Sequence, residues 1–219
     1  MEPREKYRQE KIALKNYVLE LGHSTIKQVH LALRAIGEKN PALSTEISEG
    51  TANARSLERV IDEVSTRMIA LESPVASDLR NIVMYIKIVG NFERINVHAT
   101  KLAKAYQLVN RDFLDRYVSH VEDMVNIALR MLDIVLDAID REEAGQVSEI
   151  PALDDAIDTI YATNRTKVIA AMQDDKRSID DGVALLTLLR FSERLGDHVT
   201  NIAEWVYYSV TGKHIELNS

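Results

Sequence analysis

Asp154 and Asp158 stand four residues apart, and so do Glu193 and Asp197. On a helix, positions i and i+4 share one face. Each pair therefore offers two carboxylates side by side. The polar break "MQDDKRSID" lies between the pairs. If the two segments run antiparallel about it, residues equidistant from the turn come level. Asp158 faces Glu193 and Asp154 faces Asp197, all about 27 Å from the turn at 1.5 Å per residue. Four anions held together are unfavourable unless some are protonated or a cation sits among them. An all-oxygen set suits Mg, Mn or Fe, with Zn admissible. The competing expectation is a solvated face, since acids at this spacing are common on helices. Asn201 and Glu204 continue the stripe and could extend the site. Gly196 beside it would let another backbone or a ligand approach closely.

The same stretch occurs twice. "FERINVHA", from Phe92 to Ala99, returns as "SERLGDHV", from Ser192 to Val199, at an offset of 100 residues. Val97 in the first copy stands where Asp197 stands in the second. Level pairing about Pro74 places Arg55 opposite Glu93 and Thr51 opposite Val97. Acid facing acid has become guanidinium facing acid. The expectation is that copy one keeps the architecture, with Arg55 supplying the charge a metal would supply in copy two.

The elements that must position these groups are helices. Leu114, Val118, Val121, Val125, Ala128, Leu132, Val135 and Ile139 recur at alternating spacings of four and three, a bundle seam. Leu14, Val18, Leu21, Thr25, Val29 and Ile36 form a similar seam near the N-terminus. Breaks at proline, glycine and polar clusters predict six long helices, roughly 4–36, 42–72, 75–109, 112–142, 148–173 and 180–211. Gly37 is the expected stop of the first and Gly212 of the last. Pro151 suggests a late start or a kink just before Asp154. No period-two pattern predicts a strand. Short loops make neighbours antiparallel. The expected fold is all-α: a tandem duplication of a three-helix bundle, with residues 1–110 as the first and 111–219 as the second.

Composition narrows the function. The 219 residues carry a formal charge of -7 and no cysteine. Disulfides, thiolate zinc sites and a cysteine nucleophile are excluded. The acidic balance argues against nucleic acid as the main partner. The opening "MEPREKYRQEKIALKN" lacks the apolar core of a signal peptide, and no run is long and apolar enough to span a bilayer. A cytoplasmic chain is expected. Neither a glycine-rich phosphate loop nor a Ser/His/Asp arrangement is present, so an enzyme is not expected.

The stretches "SPVASDLRNIVMYIKIVGNFERINVHA" and "LLTLLRFSERLGDHVTNIAEWVYYSVTGKHI" resemble the two halves of the PhoU family of phosphate-uptake regulators. The resemblance covers nearly the whole chain. It implies tandem three-helix bundles and E/D-x-x-x-D motifs, which in some members carry iron or zinc clusters. Asp154, Asp158, Glu193 and Asp197 match that motif; in copy one only Glu93 does. It further implies a negative regulator of phosphate uptake and of the phosphate-starvation response. The implied partners are the ATPase of the phosphate ABC transporter and a sensor histidine kinase, met at the inner face of the membrane. A homodimer is left open. Two alternatives stand beside it: a helical accessory protein of another ion or phosphate transporter, with or without metal, and a metal-dependent hydrolase. His98 and His198 point off the acidic stripe and suggest support or packing rather than ligation. Trp205, Tyr207 and Tyr208 suggest a packing anchor. Arg94 and Arg194 suggest local ion pairs. Lys101 and Lys104 suggest a small basic patch or a solvated face.

Overall fold

The computed structural model describes residues 3–38 and 40–217. Met1, Glu2, Lys39, Asn218 and Ser219, and with them the outer limits of the two expected bundles, lie outside the described residues. Among the described residues seven α-helices follow in order: α1 Pro3–Glu38, α2 Pro41–Glu72, α3 Ala76–Ala105, the single turn α4 Arg111–Leu114, α5 Val118–Arg141, α6 Ile150–Asp174 and α7 Ile179–Thr211. There is no strand among the described residues.

Helices α1, α2 and α3 pack against one another, as do α5, α6 and α7. The two groups of three meet where α3 lies on α7 and α1 lies on α5. The interior is aliphatic, with Phe92, Leu21, Ile61, Ile88 and Met124 fully enclosed. Both seams read from the sequence point inward. Leu14, Val18, Leu21, Thr25, Val29 and Ile36 are all buried on α1, and Val121 to Ile139 on α5.

Four expectations about boundaries need correction. The fourth helix is not continuous from 112: one turn at Arg111–Leu114 is followed by a break, and α5 starts at Val118. Phe113, Leu114 and Tyr117 are buried across that break, with the two rings 5.5 Å apart. Packing them inward outweighs helical continuity. The third helix stops at Ala105, its last expected residues forming a 3-10 turn at Tyr106–Leu108. Gly37 does not stop α1, which runs on to Glu38. Pro151 neither delays nor kinks its helix. It lies in the first turn of α6, where the missing N–H has no intrahelical acceptor to lose.

Turn chemistry sets the remaining ends. The Asn40 side chain accepts from the Ala42 N–H at 3.0 Å and caps α2. Gly212, at φ 72°, ends α7 with its N–H donating to the Tyr208 carbonyl at 2.8 Å. That left-handed residue turns the chain back toward its own helix.

Candidate functional site

Helices α6 and α7 pair at the register read from the sequence. The two helices approach closely at Gly196. A Cβ there would lie 2.8 Å from Asp154 Oδ1 and 2.9 Å from the Ile157 side chain. The glycine thus makes room for an acid of the neighbouring helix, and Asp154 is left only 7% exposed. Burial, and then the carboxylates of Asp158 and Asp197, push the Asp154 carboxyl up to about 6. Its Oδ1 is buried without a hydrogen-bond partner.

Three of the four expected ligands share one polar depression. Asp154, Asp158 and Asp197 line it together with Asp155, Arg194, His198, Asn201 and Leu217, around about 260 Å³. Asp158 sits at its exposed rim, where burial and the charges of Asp197 and Asp155 raise its pKa. Glu193, the fourth, is not part of that lining. It is 9% exposed, and its Oε1 is held by Arg190 of the same helix. Its Oε2 is buried and unbonded, with Arg194 Nε at 3.8 Å. Burial and Asp197 nevertheless raise the Glu193 pKa.

The depression already carries guanidinium. Arg194 donates to Asp197 at 2.7 Å, and Arg190 pairs with Glu193. Sequence reasoning placed Arg194 in a local ion pair, but it treated the acidic cluster as lacking any cation. The signal was the i, i+3 spacing from Arg190 to Glu193 and from Arg194 to Asp197. Asp155 was also passed over, because its position next to Asp154 puts it off the stripe. Glu204, offered as an extension of the site, is engaged elsewhere: its Oε1 accepts from the Leu217 N–H at 2.8 Å. The segment after Gly212 folds back along α7, with His214 stacked on Tyr208 at 4.2 Å and edge-on to Trp205. Trp205 and Tyr208 thus anchor this returning segment, and Leu217 forms a wall of the acidic depression.

The first half shows the substitution expected of it. Arg55 on α2 donates to Glu93 on α3 at 3.1 Å. Thr51 bonds the Thr100 hydroxyl at 3.1 Å, one turn beyond Val97. Glu93 and Glu193 therefore both hold a cation, drawn from different helices. The counterpart of Arg190 is Gly90, so copy one takes its guanidinium from across the hairpin.

The donor set suits an oxygen-seeking cation. Its ligands would be carboxylates, Asp154 Oδ1 is buried without a partner, and the Asp154 carboxyl is raised to about 6 by burial and its acidic neighbours; Glu193 Oε2, beside the depression, is a second buried oxygen without a partner. In the present arrangement no three His, Asp or Glu side chains converge on one point among the described residues.

Beside the depression, α3 and α7 cross antiparallel. His198 Nδ1 lies 3.1 Å from Asn91 Oδ1, and the His98 ring lies 5.6 Å from Phe191. These contacts exchange under the 100-residue offset, so the two halves face each other about a pseudo-twofold axis. His98 and His198 stack there with centroids 5.4 Å apart. Burial, then the neighbouring His198, Lys101, Arg194 and Arg94, lower the His98 pKa to about 4. His98 and His198 thus meet inside the seam, while His198 also lines the depression.

Comparison with known proteins agrees with this architecture. The model of the PhoU domain matches twice, over residues 18–106 and 121–206. The PhoU homolog of Borreliella burgdorferi, named a phosphate-specific transport system accessory protein, is 31% identical over 210 residues, covering 93% of this chain and 94% of the relative. The crystal structure of PhoU from Pseudomonas aeruginosa superposes with a TM-score of 0.88 at 31% identity, covering 94% of this chain and all of that one. The phosphate transport system regulatory protein PhoU from Streptococcus pneumoniae does so at 0.87 and 26% identity, covering 95% of this chain and 99% of that one. With both halves matched and the whole helical architecture shared, the chain belongs to the PhoU family.

Proposed function

We propose that this chain restrains phosphate uptake and the phosphate-starvation response by binding, and not by catalysis. Its targets in this reading are the ATPase of a phosphate ABC transporter and a sensor histidine kinase. It would work in the cytoplasm and dock peripherally at the inner membrane face. The observation that carries the reading is the likeness to relatives named phosphate-specific transport system accessory proteins, extending over 93% of the chain. No helix described is long and apolar enough to cross a membrane, which is consistent with a peripheral position.

A cation in the acidic depression belongs to this proposal. Asp154, Asp158 and Asp197 would hold it, with Glu193 joining if Arg190 lets go. Mg, Mn, Fe or Zn would supply charge neutralisation there, and through it rigidity of the α6–α7 hairpin. Ligation would require side-chain rotation, because the carboxylates do not already converge. The unpartnered oxygens of Asp154 and Glu193 support the reading.

Affinity capture from cells grown at high and at low phosphate tests the regulator assignment, with elemental analysis of the same purified protein. Recovery of a phosphate-transporter ATPase is expected. Recovery of an unrelated transporter alone would replace the assignment with that of an accessory protein of that carrier.

A further inference from the structure

The chain does not leave the molecule after α7. Gly212, at φ 72°, reverses it, and residues 213–217 return along the helix they follow. Two polar or aromatic holds fix this strap. The His214 ring stacks on Tyr208 at 4.2 Å with the planes 13° apart, and stands edge-on to Trp205 at 5.9 Å. The Leu217 N–H donates to Glu204 Oε1 at 2.8 Å. Lys213 and His214 are exposed, and Leu217 is half-buried against the core. A segment held by one ring stack, one charge-assisted hydrogen bond and one partly covered side chain can lift without unfolding α7.

Its far end meets the acidic depression. Among the described residues that line it, Leu217 alone is apolar; Asp154, Asp158 and Asp197 share the same space of about 260 Å³. An isobutyl group offers a cation no ligand. The N–H of the same residue occupies Glu204, giving that carboxylate the partial positive charge a cation would otherwise bring. Asp197, Asn201 and Glu204 stand at i, i+4 and i+7 and share one face of α7. Glu204 is thus the next acid along the stripe, and the strap holds one of its oxygens. In the first half Lys104 stands where Glu204 stands in the second, and the chain runs on into the 3-10 turn at Tyr106–Leu108. The half without the acidic cluster also lacks the acid that receives the strap.

We propose that residues 213–217 form a strap that competes with a divalent cation for the acidic depression. With the strap down, Leu217 walls the depression and Glu204 is bonded to backbone. With it lifted, the wall is gone and Glu204 is released to the same face as Asp197. The inference rests on the reading of the depression as a cation site. Binding free energies are reciprocal, so the factor by which the strap lowers cation affinity is the factor by which a bound cation weakens the strap. Occupancy of the depression is thereby displayed on the surface, as a loosened segment beside Trp205 and Tyr208.

The test is calorimetric titration of the full chain with Mn²⁺, after chelator treatment and dialysis. Leu217→Pro removes the N–H that Glu204 accepts, and His214→Ala removes the ring stack. Neither touches Asp154, Asp158 or Asp197, and circular dichroism confirms the helices. Leu217→Pro should bind Mn²⁺ about tenfold more tightly than the parent, the scale of one hydrogen bond to a charged group. His214→Ala should gain about threefold, the scale of one aromatic pair. Adding Glu204→Gln to either should return the affinity towards the parent's. The chain's single tryptophan supplies a second readout. Saturating Mn²⁺ should move the parent's emission maximum towards that of His214→Ala and leave that variant's in place. Equal or weaker Mn²⁺ binding in both strap variants, with the parent binding, overturns the strap and leaves the cation reading standing. Binding in neither parent nor variants overturns both.

Discussion

Asp154 makes the folded chain pay for its acidic depression, and that cost can be measured. The carboxyl goes from an ordinary 3.8 to about 6 on folding. At about 1.36 kcal/mol per pH unit, ionising it in the fold costs up to about 3 kcal/mol. Between pH 4 and pH 6 the folded chain binds more protons than the unfolded one, so stability falls as pH rises through that window. Above it the whole cost is present. The substitution Asp154→Asn keeps the shape and removes the charge. In chelator at pH 8, the variant should be more stable than the parent by about 1–3 kcal/mol. For a chain of this size that is roughly 2–4 °C of melting temperature per kcal/mol. Near pH 4 the two should melt together. Adding Mn²⁺ at pH 8 should reverse the order, raising the parent's melting temperature and leaving the variant's in place. A variant that melts at or below the parent in chelator at pH 8 would refute the electrostatic reasoning.

Three further outcomes follow from contacts already described. Gly196→Ala should destabilise the protein by about 1–3 kcal/mol in urea melts, because the added Cβ meets Asp154 and Ile157. Gly90→Ala, with nothing within 4 Å of its added Cβ, should stabilise it by about 0.5–1 kcal/mol, so the two glycines should shift the midpoint in opposite directions. Replacing Arg55 and Val97 together by Asp should raise the metal content above that of the parent, since Glu93 would then face acids as Glu193 does. Unchanged metal content would remove the support for Arg55 as a stand-in for a cation.

Much of this was legible in the sequence because helical periodicity and a 100-residue repeat constrain backbone register tightly. Once α6 and α7 are antiparallel about a known turn, Asp154 must come level with Gly196 and Asp197. The Arg55–Glu93 pair followed from the same geometry. What escaped was set by side-chain direction and tertiary competition. Level positions do not say which way a carboxylate turns, so Glu193 was grouped with the aspartates although Arg190 holds it. The break before α5 was hidden because the spacing of Leu114 and Val118 continues the seam, while the burial of Phe113 and Tyr117 overrides the helix between them. The returning segment after Gly212 was legible only as a helix stop. Its destination depends on Glu204 and on the Tyr208 ring, which no local pattern announces.

The crossing of α3 on α7 carries a consequence for divergence. Two separate identical subunits meeting this way would have to present the same residue at both ends of the contact, either two Asn–His bonds or two Phe–His edges. A single continuous polypeptide is released from that obligation. It places Asn91 beside one imidazole and Phe191 beside the other. Covalent fusion thus lets each face of an otherwise self-complementary joint specialise, so that one half keeps Asp197 where the other has Val97.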